Sequence, residues 1–121
     1  MENKSDFNQN EPMNAKRLKK LEQSNPLEIT EILIQLKTLK PTLRQDYGVS
    51  KIGIFGSFAR NQTHPKSDID IVVEMEPDLL KRSRLKLFLE KHFGQQVDVI
   101  RYWQGMNPYL KSQIDRDAYY A

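Results

Sequence analysis

The chain has no cysteine among its 121 residues. That excludes a disulfide framework and any thiolate metal site. It has no apolar run near the roughly 18 residues of a membrane span. Neither charge sign dominates: 19 Lys and Arg against 16 Asp and Glu leave a formal net charge of +3. A dedicated DNA-binding domain usually carries a stronger basic stripe, and no recognition-helix signature appears, so DNA is not an expected partner. The opening Met1-Glu2-Asn3-Lys4-Ser5-Asp6 is too polar and acidic for a secretory signal. The expected location is the cytoplasm, with no membrane association. With 38% apolar and 29% charged residues, the chain suits one domain with a modest core.

Residues 1–24 are polar, rich in Asn, Gln, Glu and Lys, and read as a flexible extension. The basic stretch Lys16-Arg17-Leu18-Lys19-Lys20-Leu21 within it reads as solvated tail rather than partner contact. The folded domain is expected over residues 25–121. Asn25 can cap a helix, Pro26 suits its first position, and Glu28 follows three residues after the cap. Ile29, Ile32, Leu33, Leu36 and Leu39 keep helical spacing. Pro41 should end or break this helix, with a second short piece carrying Leu43 and closing at Tyr47-Gly48.

Lys51–Phe55 reads as a strand, with Ile52 and Ile54 on one face and Gly53 and Phe55 on the other. Asp68–Glu74 reads as a second strand and Gln96–Arg101 as a third. Between the last two, Leu79–Phe93 is a helix with Leu80, Leu85, Phe88 and Leu89 as expected core contacts, ended by Gly94. Pro108 opens a last helix running to about Asp115 or beyond. The order implies an α/β (α+β) chain: a small mixed β-sheet of about three to four strands, with helices mainly on one face. The other face is expected to stay open, because the acids point there.

The chemistry lies in those acids. Strand alternation puts Ile69, Ile71 and Val73 on one face, and Asp68, Asp70, Val72 and Glu74 on the other. Two neighbouring carboxylates repel unless something compensates them. In Gln96-Val97-Asp98-Val99-Ile100 a third acid again opposes the valines. If the two strands pair, Asp68, Asp70 and Asp98 converge. Oxygen donors of this kind suit magnesium completed by water and phosphate. Upstream, Gly56-Ser57 follows an apolar strand. The glycine allows close backbone approach, and the serine hydroxyl and free N–H groups form a phosphate perch.

The stretch Gly53-Ile54-Phe55-Gly56-Ser57-Phe58-Ala59-Arg60, followed by Ser67-Asp68-Ile69-Asp70-Ile71, resembles the signature of the DNA polymerase beta-type nucleotidyltransferase superfamily. It is similar above all to the minimal nucleotidyltransferases. Ten residues separate Ser57 from Asp68, the usual spacing of that family. The likeness is close over Lys51–Ile100 and looser outside it. Asn61 stands where many members have glycine, and asparagine also tolerates a left-handed backbone.

The resemblance implies a transferase moving AMP from ATP to a hydroxyl with two Mg2+ ions. Gly56, Ser57 and Arg60 would hold the nucleotide. Asp68 and Asp70 would bind both metals, and Asp98 the catalytic one. Relatives of this type pair as antitoxins with a HEPN-family toxin and adenylylate one of its tyrosines, which makes such a toxin the expected partner. The alternatives are a non-catalytic antitoxin acting by complex formation, or an enzyme modifying a small molecule as aminoglycoside nucleotidyltransferases do. His64 and His92 are not at family positions and read as surface residues. Glu74 and Glu76 read as solvated strand-end acids, Tyr102 and Trp103 as packing groups at the sheet edge, and Tyr109, Tyr119 and Tyr120 as ordinary tyrosines.

Overall fold

The computed structural model of the protein describes residues 28–57, 59–60 and 68–121. The expected polar extension over residues 1–24 lies outside the described residues. Helix α1 (Ile29–Tyr47) opens on Glu28, not on Asn25, which also lies outside the described residues. Glu28 and Glu31 form a reciprocal capping box, in which the Glu28 N–H donates to Glu31 Oε1 at 3.2 Å. A second expectation is corrected at Pro41, which sits inside one continuous helix instead of breaking it. Interior proline costs about 3 kcal/mol. Fully buried Ile32 and Leu36 before it and Leu43 after it hold both halves on the same core, while the proline itself is exposed. Gly48, left-handed at φ 67°, closes the helix as expected.

Four strands follow: β1 (Lys51–Phe55), β2 (Ile69–Glu74), β3 (Val97–Arg101) and β4 (Tyr119–Tyr120). Their order in the sheet is β3-β2-β1-β4. β1 pairs antiparallel with β2 and with β4, whereas β2 and β3 run parallel. That parallel step needs a crossover, and α2 (Leu79–Phe93) supplies it. Asp78 caps α2 by accepting the Lys81 N–H at 2.9 Å. Gly94 ends the helix where the sequence predicts.

The main core lies between α1, α2 and one sheet face. Ile52, Ile54, Ile69, Ile71 and Val97 meet Ile32, Leu36, Leu43, Leu85, Leu89 and Phe93 there. Leu80 does not join them and is 61% exposed. It precedes Leu85 by five residues, about 140° around the helix, and so points away from the Leu85-Leu89-Phe93 stripe. Phe88 is partly buried against Tyr47, with ring centroids 5.6 Å apart.

The second face is less open than the acids suggest. Helix α3 (Pro108–Asp117), capped by the Asn107 side chain, crosses it and buries Ile114 with Phe55, Val72 and Met106. Strand β4 completes the expected three to four strands, although the sequence pattern places no strand at Tyr119–Tyr120. Its two residues carry no pattern of their own, and pairing with Gly53 and Ile54 defines it. Among the described residues, no helix is long and apolar enough to cross a membrane.

Candidate active site

The sheet register decides which acids meet. Asp70 lies opposite Phe55 on one side and Asp98 on the other. The parallel ladder therefore puts Asp70 and Asp98 on adjacent strands and on the same face. Asp98 is exposed rather than turned into the core. Asp68, also exposed, stands just before β2. Its alternation with Asp70 aims it at the same face.

The turn after β1 closes down on this group. Gly56 is buried with φ at 76°, and a Cβ there would overlap the Asp70 carboxylate. Two independent demands, the left-handed backbone and the missing volume, thus fall on one glycine. Ser57 follows, half-buried. The Arg60 N–H donates to the Gly56 carbonyl at 3.0 Å and fixes the turn. The Arg60 guanidinium reaches Asp117 of α3, with Nη1 3.4 Å from Oδ2.

This crowding has an electrostatic consequence. Burial, then the charges of Asp98 and Asp68, push the Asp70 carboxyl up from its ordinary 3.8 to about 6, against a lowering pull from Arg60. The group is one that a bound cation would relieve. Among the described residues, no three His, Cys, Asp or Glu side chains form a ready-made metal cage. An incomplete protein shell is what magnesium takes when substrate phosphates and water complete its coordination. The carboxylate donor set and the strained ionisation of Asp70 fit such an ion. Asp68, Asp70 and Asp98 are the residues that would hold it.

Other candidates stand elsewhere. Asn61, His64 and Ser67 lie outside the described residues. His92 is exposed near the end of α2, edge-on to Phe93 at 5.1 Å. Tyr102 packs under α3, and its hydroxyl donates to Asp115 Oδ1 at 2.7 Å. Trp103, 48% exposed, folds over Gly105 at the far end of β3 from Asp98. A cleft of about 440 Å³ between Gly48, Glu74, Glu76 and Trp103 also lies at that far end, away from the three acids. Asp117 is the residue that the sequence did not announce. It is distant in the chain, and only the packing of α3 brings it to Arg60.

A strand, a glycine-serine turn and paired strand acids on a mixed sheet define a nucleotidyltransferase domain, and the model of that family matches residues 36–119. The chain belongs to the nucleotidyltransferase family and has the minimal nucleotidyltransferase fold. It is 43% identical over 95 residues to a provisionally named protein adenylyltransferase of Methanocaldococcus jannaschii, covering 77% of this chain and 97% of that one. It is 40% identical over 90 residues to the protein adenylyltransferase MntA of Thermococcus cleftensis, covering 73% and 86%. A solved structure of a provisionally named minimal nucleotidyltransferase superposes with a TM-score of 0.64 at 29% identity, over 77% of this chain and 95% of that one.

Proposed function

We propose that this protein is a magnesium-dependent protein adenylyltransferase that moves AMP from ATP to a tyrosine hydroxyl of a HEPN-family toxin and thereby acts as its antitoxin. The reading is carried by one juxtaposition: Asp70 held between the Gly56 turn and Asp98, its charge only partly offset by Arg60. The relatives named adenylyltransferases support the reaction class. A solved complex of an MNT antitoxin with a tri-AMPylated HEPN toxin contains a chain of similar fold, at a TM-score of 0.55 and 19% identity. That complex supports a HEPN toxin as the acceptor protein, and the tyrosine follows from the family resemblance.

In this reading the backbone and hydroxyl of Gly56-Ser57 seat the triphosphate at the turn after β1. Arg60, braced by Asp117, sets the geometry of that turn and offers positive charge beside it. Asp68 and Asp70 would hold two magnesium ions, with Asp98 a further ligand to the catalytic one, and the ions would supply neutralisation of the phosphate charge. Asp98 orients the acceptor hydroxyl and takes its proton. The acceptor oxygen forms a bond to the α-phosphorus, the bond from that phosphorus to the bridging oxygen breaks, and pyrophosphate leaves with the electron pair. Catalysis is positioning and charge neutralisation.

The test is transfer of label from α-labelled ATP to a co-purified partner. Magnesium-dependent labelling of a tyrosine is expected, and the double change Asp68→Ala with Asp70→Ala should remove it. Labelling that survives in the double variant would rule out the metal assignment. Full protection of cells by that variant would favour neutralisation by binding alone.

A further inference from the structure

Among the described residues, β3 is an outer strand of the sheet, with β2 on one side only. Its backbone parity can be read from two bonds to the β2 side. The Ile69 N–H donates to the Gln96 carbonyl at 3.0 Å, and the Tyr102 N–H donates to the Val73 carbonyl at 2.8 Å. Even-numbered residues of this strand therefore face β2, and Val97, Val99 and Arg101 point their N–H and C=O groups outward. The first of these donors is closed, since the Val97 N–H donates to Glu90 Oε2 of α2 at 3.1 Å. The ladder positions at Val99 and Arg101 remain at the open edge.

That edge does not face bare solvent. A groove of about 340 Å³ runs along it, bounded by Arg82 of α2 on one side and by Met106 and Leu110 on the other, with Val99, Ile100 and Arg101 as its floor. Among the described residues, two arginines line it and no carboxylate does. Leu79, 72% exposed, sits one helical turn before Arg82 on α2. The Arg101 guanidinium lies over the Trp103 ring at 5.7 Å and donates to the Met75 carbonyl at 2.8 Å, so its charge is fixed in place at the groove's end. The other end of the same strand carries the exposed Asp98.

We propose that this groove receives the acceptor: an extended segment of the partner protein, apolar with acidic side chains, adds as a fifth strand on the outer edge of β3. The inference rests on the transferase reading above and names how its acceptor is delivered. Main-chain bonds to Val99 and Arg101 give affinity, and Arg82 and Arg101 select acidic side chains. A residue opposite Asp98 in such a ladder has its Cβ about 5 Å from that of Asp98. A tyrosine there brings its hydroxyl to the carboxylate that takes its proton.

The experiment uses the full chain, Mg·ATP and two probes, a random Glu/Tyr copolymer and a random Lys/Tyr copolymer. The Glu/Tyr copolymer should slow hydrogen exchange at the Val99 and Arg101 amides and be labelled with AMP at least about tenfold faster than the Lys/Tyr copolymer. Arg82→Glu should remove that preference while leaving ATP affinity unchanged. Glutamate is well tolerated in the first turn of a helix, so this variant is expected to fold. Absence of protection at Val99 and Arg101 under saturating Glu/Tyr copolymer overturns the proposal, and so does equal labelling of both copolymers. Protection at the edge with no AMP transfer to any tyrosine would leave the docking groove standing and sink the transferase reading instead.

Discussion

Both ends of this sheet carry charged side chains, and they differ in how far those charges are paired. At the far end, Lys51 Nζ stands 4.2 Å above the Tyr120 ring, the Arg101 guanidinium bonds a carbonyl and stacks on Trp103, and Ser50 returns to the Glu74 carbonyl with both its N–H and its hydroxyl. Each polar group named there has found something to do. At the near end, Asp70 is half-buried beside two more acids, and Arg60 offsets only part of their repulsion while also bonding Asp117. The contrast teaches where to look for chemistry. A fold of this size can satisfy its charges, so an end left unsatisfied is one that awaits a ligand.

The most damaging way to break the comparison is at Gly56. Gly56→Ala forces a side chain into the Asp70 carboxylate and a left-handed backbone onto alanine. A stability loss of about 1–3 kcal/mol is expected from the strain. Transfer should fall about a hundredfold or more, since misplacement by an ångström costs that much. A variant with normal turnover would show that the turn does not define the site.

Next is the seat of β4. A Cβ on Gly53 would stand 2.6 Å from the Tyr119 carbonyl oxygen and 2.8 Å from Tyr120 Cδ1. Gly53→Ala should lift β4 off β1 and cost about 1–3 kcal/mol. Amide exchange at Ala121 reports it directly, because the Ala121 N–H donates to the Ile52 carbonyl at 2.9 Å. Unchanged exchange at Ala121 would mean that the ring and strand move aside at little cost.

Asp70→Asn sharpens the contrast from the other direction, because it should stabilise. The folded carboxyl titrates at about 6 against an ordinary 3.8, so between these values the folded state holds more protons than the unfolded one. Stability contributed by the proton is present below about pH 4 and is lost as pH rises to about 6. In metal-free buffer at pH 7.5, the asparagine variant should gain about 1–2 kcal/mol, a figure already reduced for solvent screening of a half-exposed group. Urea titrations at pH 4.5 and 7.5 measure it, and the gain should shrink at the lower pH. The same substitution should weaken magnesium binding.

The smallest effect is expected at Asp117. Its carboxylate accepts from Arg60 and from the Arg116 guanidinium, whose Nε lies 3.2 Å away, and both arginines hold it below the usual carboxylate range. Asp117→Asn should raise KM for ATP about threefold with kcat nearly intact, as fits a screened ion pair. In an Arg60→Ala background the same change should do nothing further. Additive losses would show that Asp117 acts by another route.

Much of the site was legible because it is written in strand alternation. Asp70 and Asp98 each interrupt an apolar run at a fixed parity, and parity survives folding once the strands pair in register. Helix α2 was legible over Leu79–Phe93, since its apolar spacing and its closing Gly94 are both local signals. What escaped depends on distant contacts. Pro41 reads as a break because its local cost is plain, while the buried Leu43 beyond it is visible only in three dimensions. Leu80 reads as core by composition, yet its angle around the helix excludes it. β4 and the Arg60–Asp117 bridge join residues more than fifty positions apart, and no periodicity announces them.

The ladder on either side of Asp70 has one more consequence. A surface aspartate can rotate away from a hostile neighbour, but this one is pinned at its backbone between Phe55 and Asp98. Any cation that settles there is rewarded by the whole sheet, not by one rotamer. Thermal denaturation then becomes a gauge of occupancy: the melting curve should climb with added Mg·ATP and let ligands be ranked before any acceptor is in hand.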